Sequence, residues 1–110
     1  MRLEQALDAI LTAMQCSMKL IVLLKDKDKY REYLQNKPFD LAGYDKDPTN
    51  FENVTDWIKS SISEMNNSSE RMIFFHIIDD DVAVDKLTSI IFNDIQHIVV
   101  NDSLARGGLL

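Results

Sequence analysis

The first 37 residues contain neither glycine nor proline, so nothing in the backbone chemistry of this third of the chain enforces a turn. Across it Leu3, Leu7, Ile10, Met14, Ser17, Ile21 and Leu24 recur at intervals of three and four. Those intervals place them on one stripe of a helix. Ala6, Ala13, Leu20 and Leu23 widen the stripe beyond a single face. The spacing predicts a long N-terminal helix that continues through Lys25-Asp26-Lys27-Asp28-Lys29 to about Gln35, with Leu23, Tyr30 and Leu34 carrying the apolar face onward. A break near Asp26 or Asp28 is the alternative. A helix apolar on more than one face needs two neighbours, and one could be another copy of the chain.

The whole chain of 110 residues has three glycines and two prolines. Sandwiches and barrels need turn residues roughly every 8 to 12 positions, so the scarcity predicts an all-α fold. The expected architecture is one domain over residues 1–110, a compact bundle of four to five helices of which the N-terminal one is long. Asn36 to Asn50 holds both prolines and Gly43 and is expected to be irregular, anchored by Phe39, Leu41 and Tyr44. Thr49 or Asn50 then caps a helix to about Met65, with Phe51, Val54, Trp57 or Ile58, Ile62 and Met65 facing inward. Asn66-Asn67-Ser68-Ser69 reads as a stop followed by a new cap at Ser69, with Glu70 at the positive end of the next helix dipole. Met72 to Ile78 has a single polar member, His76. Its continuity allows a buried strand, but no other segment offers a partner strand, so helix is preferred. A last helix is expected to about Val100 on the stripe Val84, Leu87, Ile91, Ile95 and Ile98, before a frayed tail from Arg106 to Leu110.

Hydrophobic residues make up 45% of the chain and charged residues 27%, the balance of a folded domain. The formal charge of −6 is uneven. Residues 1–36 are close to neutral, and the acidic excess lies beyond them. Such a surface repels a phosphate backbone, which disfavours non-specific nucleic-acid binding. Cys16, the only cysteine, falls on an apolar face and is expected to be buried and unpaired, in a reducing, cytoplasmic setting. Leu20 to Leu24 is too short for a signal peptide, and Thr12, Gln15, Ser17 and Lys19 interrupt any membrane-spanning window.

Two side chains stand out chemically. Arg71 and His76 bracket Met72-Ile73-Phe74-Phe75. Metal-independent RNA cleavage needs a base near neutral pKa to take the 2′-hydroxyl proton, and a fixed cation for the charge that builds on the phosphate. Five positions apart on a helix, the two would diverge by about 140°. They could therefore cooperate only at a helix end, across a kink or across a dimer interface. Arg71 to His76, the acidic run after it and the amphipathic segment from Val84-Asp85-Lys86-Leu87 resemble the Arg-x(4–6)-His half of the HEPN ribonuclease superfamily. That resemblance implies an all-α, usually dimeric bundle whose motif lines one cleft from two subunits. By it, Arg71 would stabilise the phosphate and His76 would transfer protons.

The other constellations are weaker. Asp79-Asp80-Asp81 with Asp85 lacks the glycine hinge and alternating ligands of a calcium loop and fits helix capping. An aspartate at a strand end, as in a phosphoryl-transfer site, is set aside because only 29 residues follow Asp81. His97 has no cysteine near it, so no metal site is expected, nor any cofactor. Tyr30 and Tyr33 flank a nearly neutral charge run and could anchor an interface. The preferred expectation is a small acidic protein-binding module of the immunity or inhibitor kind, without catalysis. It would meet a basic toxin or nuclease through Asp79, Asp80, Asp81 and Asp85, and could itself form a homodimer. The HEPN-like ribonuclease using Arg71 and His76 is the alternative, and only it calls for nucleic acid.

Overall fold

The computed structural model describes residues 2–66 and 71–105. The expected cap at Ser69, with Glu70, and the tail from Arg106 lie outside them. Among the described residues the order is α1 (Leu3–Cys16), β1 (Lys19–Leu24), α2 (Lys27–Asn36), α3 (Phe51–Met65), β2 (Met72–Ile77) and α4 (Val84–Ala105). The fold is therefore mixed α/β, and the all-α helical bundle expected from the sequence is corrected. The expected long first helix is three elements: it stops at Cys16, becomes a strand, and resumes at Lys27.

The physical reason lies in pairing across the chain. β1 and β2 form a two-stranded parallel sheet in the register Lys19↔Met72 through Leu24↔Ile77. Parallel strands covered on both faces read as continuous apolar runs rather than alternating ones. Leu20 to Leu24 and Met72 to Ile77 are such runs. Two ladder bonds, from the Met72 N–H to the Met18 carbonyl and from the Ile78 N–H to the Leu24 carbonyl (both 2.8 Å), fix its parity. The backbone groups of even-numbered β1 residues point at β2, and those of Ile21 and Leu23 point away from it.

Strand alternation divides the side chains between two layers. Leu20, Val22, Ile73, Phe75 and Ile77 pack on the main core, built from Leu3, Leu7, Ile10 and Met14 of α1, Val54, Ile58 and Ile62 of α3, and Leu34 of α2. The opposite face carries His76 and Phe74 and is covered by α4. His76 meets Asp94, the Phe74 ring lies 6.3 Å from that of His97, and Lys19 is ion-paired with Asp102. Cys16 ends α1 exposed, which corrects the expectation of a buried thiol: two positions past Met14, it lies about 200° round the helix from the buried stripe of Leu3, Leu7, Ile10 and Met14.

α3 begins where its sequence signals it. The Asn50 side chain accepts a hydrogen bond from the Asn53 N–H at 2.9 Å, satisfying one of the free donors of the first turn. The preceding loop closes over α3 through edge-to-face contacts among Phe39, Tyr44 and Trp57 with centroids 5.1 to 5.8 Å apart. Gly43 makes its turn at φ +94°, a conformation open to glycine. Leu41, expected as an anchor, is exposed. No helix among the described residues is long and apolar enough to cross a membrane.

Candidate functional site

The strongest polar arrangement on the outer face of the sheet is His76 with Asp94. Strand parity directs His76 of β2 at α4, and Asp94 sits at the centre of that helix's inward stripe. The His76 Nε2 and the Asp94 Oδ2 are 2.6 Å apart. Asp94 is 2% exposed, while the imidazole keeps about a third of its surface in solvent. A buried carboxylate fixing one ring nitrogen of a partly open histidine is the base-and-orienter half of a catalytic constellation. It is equally a way to satisfy one buried acid.

Arg71 immediately precedes β2, and its carbonyl accepts a hydrogen bond from the Asn66 side-chain amide at 3.3 Å. Because the segment is extended rather than helical, Arg71 and His76 stand about 16 Å apart along the chain. They are of opposite parity, so the strand directs them to opposite faces. The helical geometry weighed for this pair does not apply.

The four aspartates expected at a partner surface split into two jobs. Asp79 pairs with the Lys27 ammonium at 2.6 Å. The Lys27 hydrogen bond and charge, helped by Lys86 and Arg31, hold its carboxyl below the usual range. Asp80 accepts the Asp28 N–H at 3.0 Å. It thereby caps α2 from a distance, where the local N-cap residue, Asp26, makes no side-chain bond of its own. These two bonds fasten the β2–α4 loop onto the start of α2. Asp81, in the left-handed region at φ 57°, and Asp85, in the first turn of α4, remain exposed. Neither takes part in an ion pair among the described residues.

Tyr30 and Tyr33 project from α2 over an open hollow of about 360 Å³, shared with Arg2, Gln5, Asp26 and Lys29. Burial, and then the charge of Asp26, push the Tyr30 phenol up. A second, apolar cavity of about 410 Å³ adjoins it, between α1 and β1. Among the described residues no three His, Cys, Asp or Glu side chains gather as metal ligands.

Sequence reasoning missed Asp94. Its signal was present: it is the only charged residue between Lys86 and Asp102, placed on the apolar stripe, where an acid needs a partner. The free edge of β1 was missed along with the strand. No family model matches the chain, and neither a curated protein nor a solved structure matches it.

Proposed function

We propose that the protein acts by contact rather than by chemistry, as an acidic module of the inhibitor or immunity kind that engages a basic protein partner at the loop between β2 and α4. The observation that carries the reading is the division of labour among the aspartates. Asp79 and Asp80 fasten the loop to α2, Asp81 is left exposed upon it, and Asp85 is exposed beside it on the first turn of α4. A charge held in place before binding loses little entropy on capture, and acidic groups offered to a basic surface accelerate encounter and fix orientation.

The test is affinity capture with the wild-type chain against Asp81→Asn/Asp85→Lys. Asparagine tolerates the left-handed conformation of position 81, so the variant should remain folded. A basic partner retained by wild type should be held at least about tenfold more weakly by the variant at low salt. That difference should shrink as ionic strength rises and the charges are screened. Equal retention at low salt would sink the loop as the binding site.

One observation favours a second reading, a metal-independent ribonuclease, although the mixed α/β fold departs from the all-α bundle that the HEPN resemblance implies. It is the 2.6 Å contact of His76 with the buried Asp94, which would orient the imidazole as a general base. Arg71 would reach the same phosphate only from another copy. This reading expects wild-type protein to cleave mixed RNA in chelator near pH 7, and His76→Ala to be inactive although folded. Silence from the folded wild type removes it.

A further inference from the structure

We propose that the free edge of β1 and an apolar stripe of α4 form one continuous interface, and that its occupant is a second copy of this chain, paired antiparallel through β1 with Val22 on the two-fold axis. Three independent features meet at this place.

The first is the strand edge. Ile21 and Leu23 direct their N–H and C=O groups away from β2, and no hydrogen bond among the described residues reaches them. The neighbouring outward residue, Lys19, is already served: its carbonyl accepts from the Ser17 hydroxyl at 2.7 Å, and that oxygen lies 3.3 Å from its N–H. The open edge is therefore four backbone groups long. Two such edges related by a two-fold axis at Val22 oppose Ile21 with Leu23 of the other copy, and these pairs exchange N–H···O bonds in both directions. All four groups on each copy are satisfied, which no one-residue slip achieves. Residues 20–24 carry no charge, proline or glycine, the devices by which proteins blunt a strand edge. The outer edge of β2 differs, because the Lys59 ammonium lies 5.7 Å from the centroid of the Phe75 ring.

The second feature is α4. Val84, Phe92, Ile95 and Val99 are exposed apolar residues, Phe92 by 59% and Val99 by 57%. With Thr88 they recur at intervals of four, four, three and four, the seam of a helix that packs on another. The ties to the sheet give the direction in which this seam faces. Asp94 and His97 address β2, and Asp102 addresses Lys19 of β1. Successive residues turn by about 100° around a helix, so the seam lies beyond Asp102 on the side away from β2. It overhangs the free edge of β1. A sheet continued through that edge in the order β2-β1-β1-β2 sets the two α4 helices side by side with their seams facing.

The third is the cavity of about 410 Å³ under the same edge. Val22, Leu23 and Leu24, consecutive strand residues of alternating parity, all line it, together with Ala6 and Ala9 of α1. The lining runs on through Lys25 and Asp26, so the hollow lies at the C-terminal end of β1. Leu20 of the second copy, which this pairing sets opposite Leu24, would lie over it.

Charge and area fit a second copy. Each chain carries −6, yet this surface is neutral: between Lys86 and Asp102 the only acid of α4 is Asp94, which is buried. The exposed seam presents on the order of 400 Å², the size of the largest apolar patch of a typical monomer, which is often a functional surface. A stable interface takes roughly 800 Å² per partner, so the seam alone supplies about half of it and the strand edge must join it. The pairing is independent of the acidic loop.

Sedimentation equilibrium and a cross-link decide it. Wild-type protein at tens of micromolar should sediment as a dimer of the 12.7 kDa chain. Phe92→Glu/Val99→Glu, both on the exposed seam, should keep the wild-type circular dichroism and weaken the dimer by about 100-fold or more. In a Cys16→Ser background, Val22→Cys should oxidise readily to a covalent dimer, because residues facing each other across such an axis have Cα atoms about 4.5 Å apart. Ile21→Cys should not. A wild-type monomer overturns the proposal, as does a dimer indifferent to the two glutamates or cross-linking that does not favour position 22.

Discussion

Leu34→Ala should destabilise the protein by about 2–5 kcal/mol, the usual cost of emptying a buried leucine site. At roughly 4–8 °C per kcal/mol for a domain near this size, the melting temperature should fall by about 10 °C or more. Leu34 is 2% exposed and is the one fully buried side chain of α2. The other residues of that helix are polar, aromatic at a half-buried edge, or charged. An isolated helix of ten residues does not hold itself in water, so α2 depends on this anchor. Its loss should also loosen what α2 fastens: the Lys27–Asp79 pair and the Asp28 N–H held by Asp80. Urea denaturation gives the energy. The amide signals of residues 79–85 report whether the loop is released. Lys29→Ala, on the exposed side of the same helix, should change stability by no more than about 0.5 kcal/mol. A Leu34→Ala loss no larger than that would mean α2 is held by its partly buried tyrosines instead.

The elements legible in the sequence are those whose periodicity is answered locally. α3 shows its cap at Asn50 and its inward Phe51, Val54, Ile58 and Ile62, because cap and stripe both lie within fifteen consecutive residues. β1 was hidden for the opposite reason. Ile21 and Leu24 fall on the three-and-four spacing of α1, so the helical pattern runs on unbroken, while the same run of five aliphatics suits a strand equally well. Only a partner decides between the two readings, and that partner lies some fifty residues away at Met72 to Ile77. With Leu20 to Leu24 read as helix, Met72 to Ile78 has no partner strand and reads as helix too. The acidic run shows a similar limit. Four aspartates look alike in sequence, but the distant residues Lys27 and Asp28 assign two of them to fastening the loop. His76 was conspicuous from the start. Its partner Asp94 was marked only as a lone acid in an apolar stretch, and pairing the two required knowing that α4 packs on that face of the sheet.

Asp94→Ala should cost about 1.5–3 kcal/mol, the range for losing a hydrogen bond to a charged group. His76→Leu/Asp94→Leu, by contrast, should lie within about 1 kcal/mol of wild type or above it. The asymmetry follows from burial. Asp94 is 2% exposed, so taking its carboxylate out of water costs free energy that the 2.6 Å contact with His76 largely offsets. Removing either partner alone leaves a polar group without its contact, while removing both relieves the desolvation as well. His76→Leu should be the more damaging single change, because the carboxylate left behind is buried, whereas the imidazole left by Asp94→Ala can still draw on solvent. Four denaturation curves at neutral pH, for wild type, His76→Leu, Asp94→Leu and the double, give the coupling directly. A double variant as unstable as the worse single variant would show that the pair stabilises the α4–β2 contact beyond what leucines can supply, and that holding the helix on the sheet is reason enough for it. A double variant equal to wild type would show that stability does not require these two residues. The partly open imidazole, oriented by a buried acid, would then be the first place on this chain to look for chemistry.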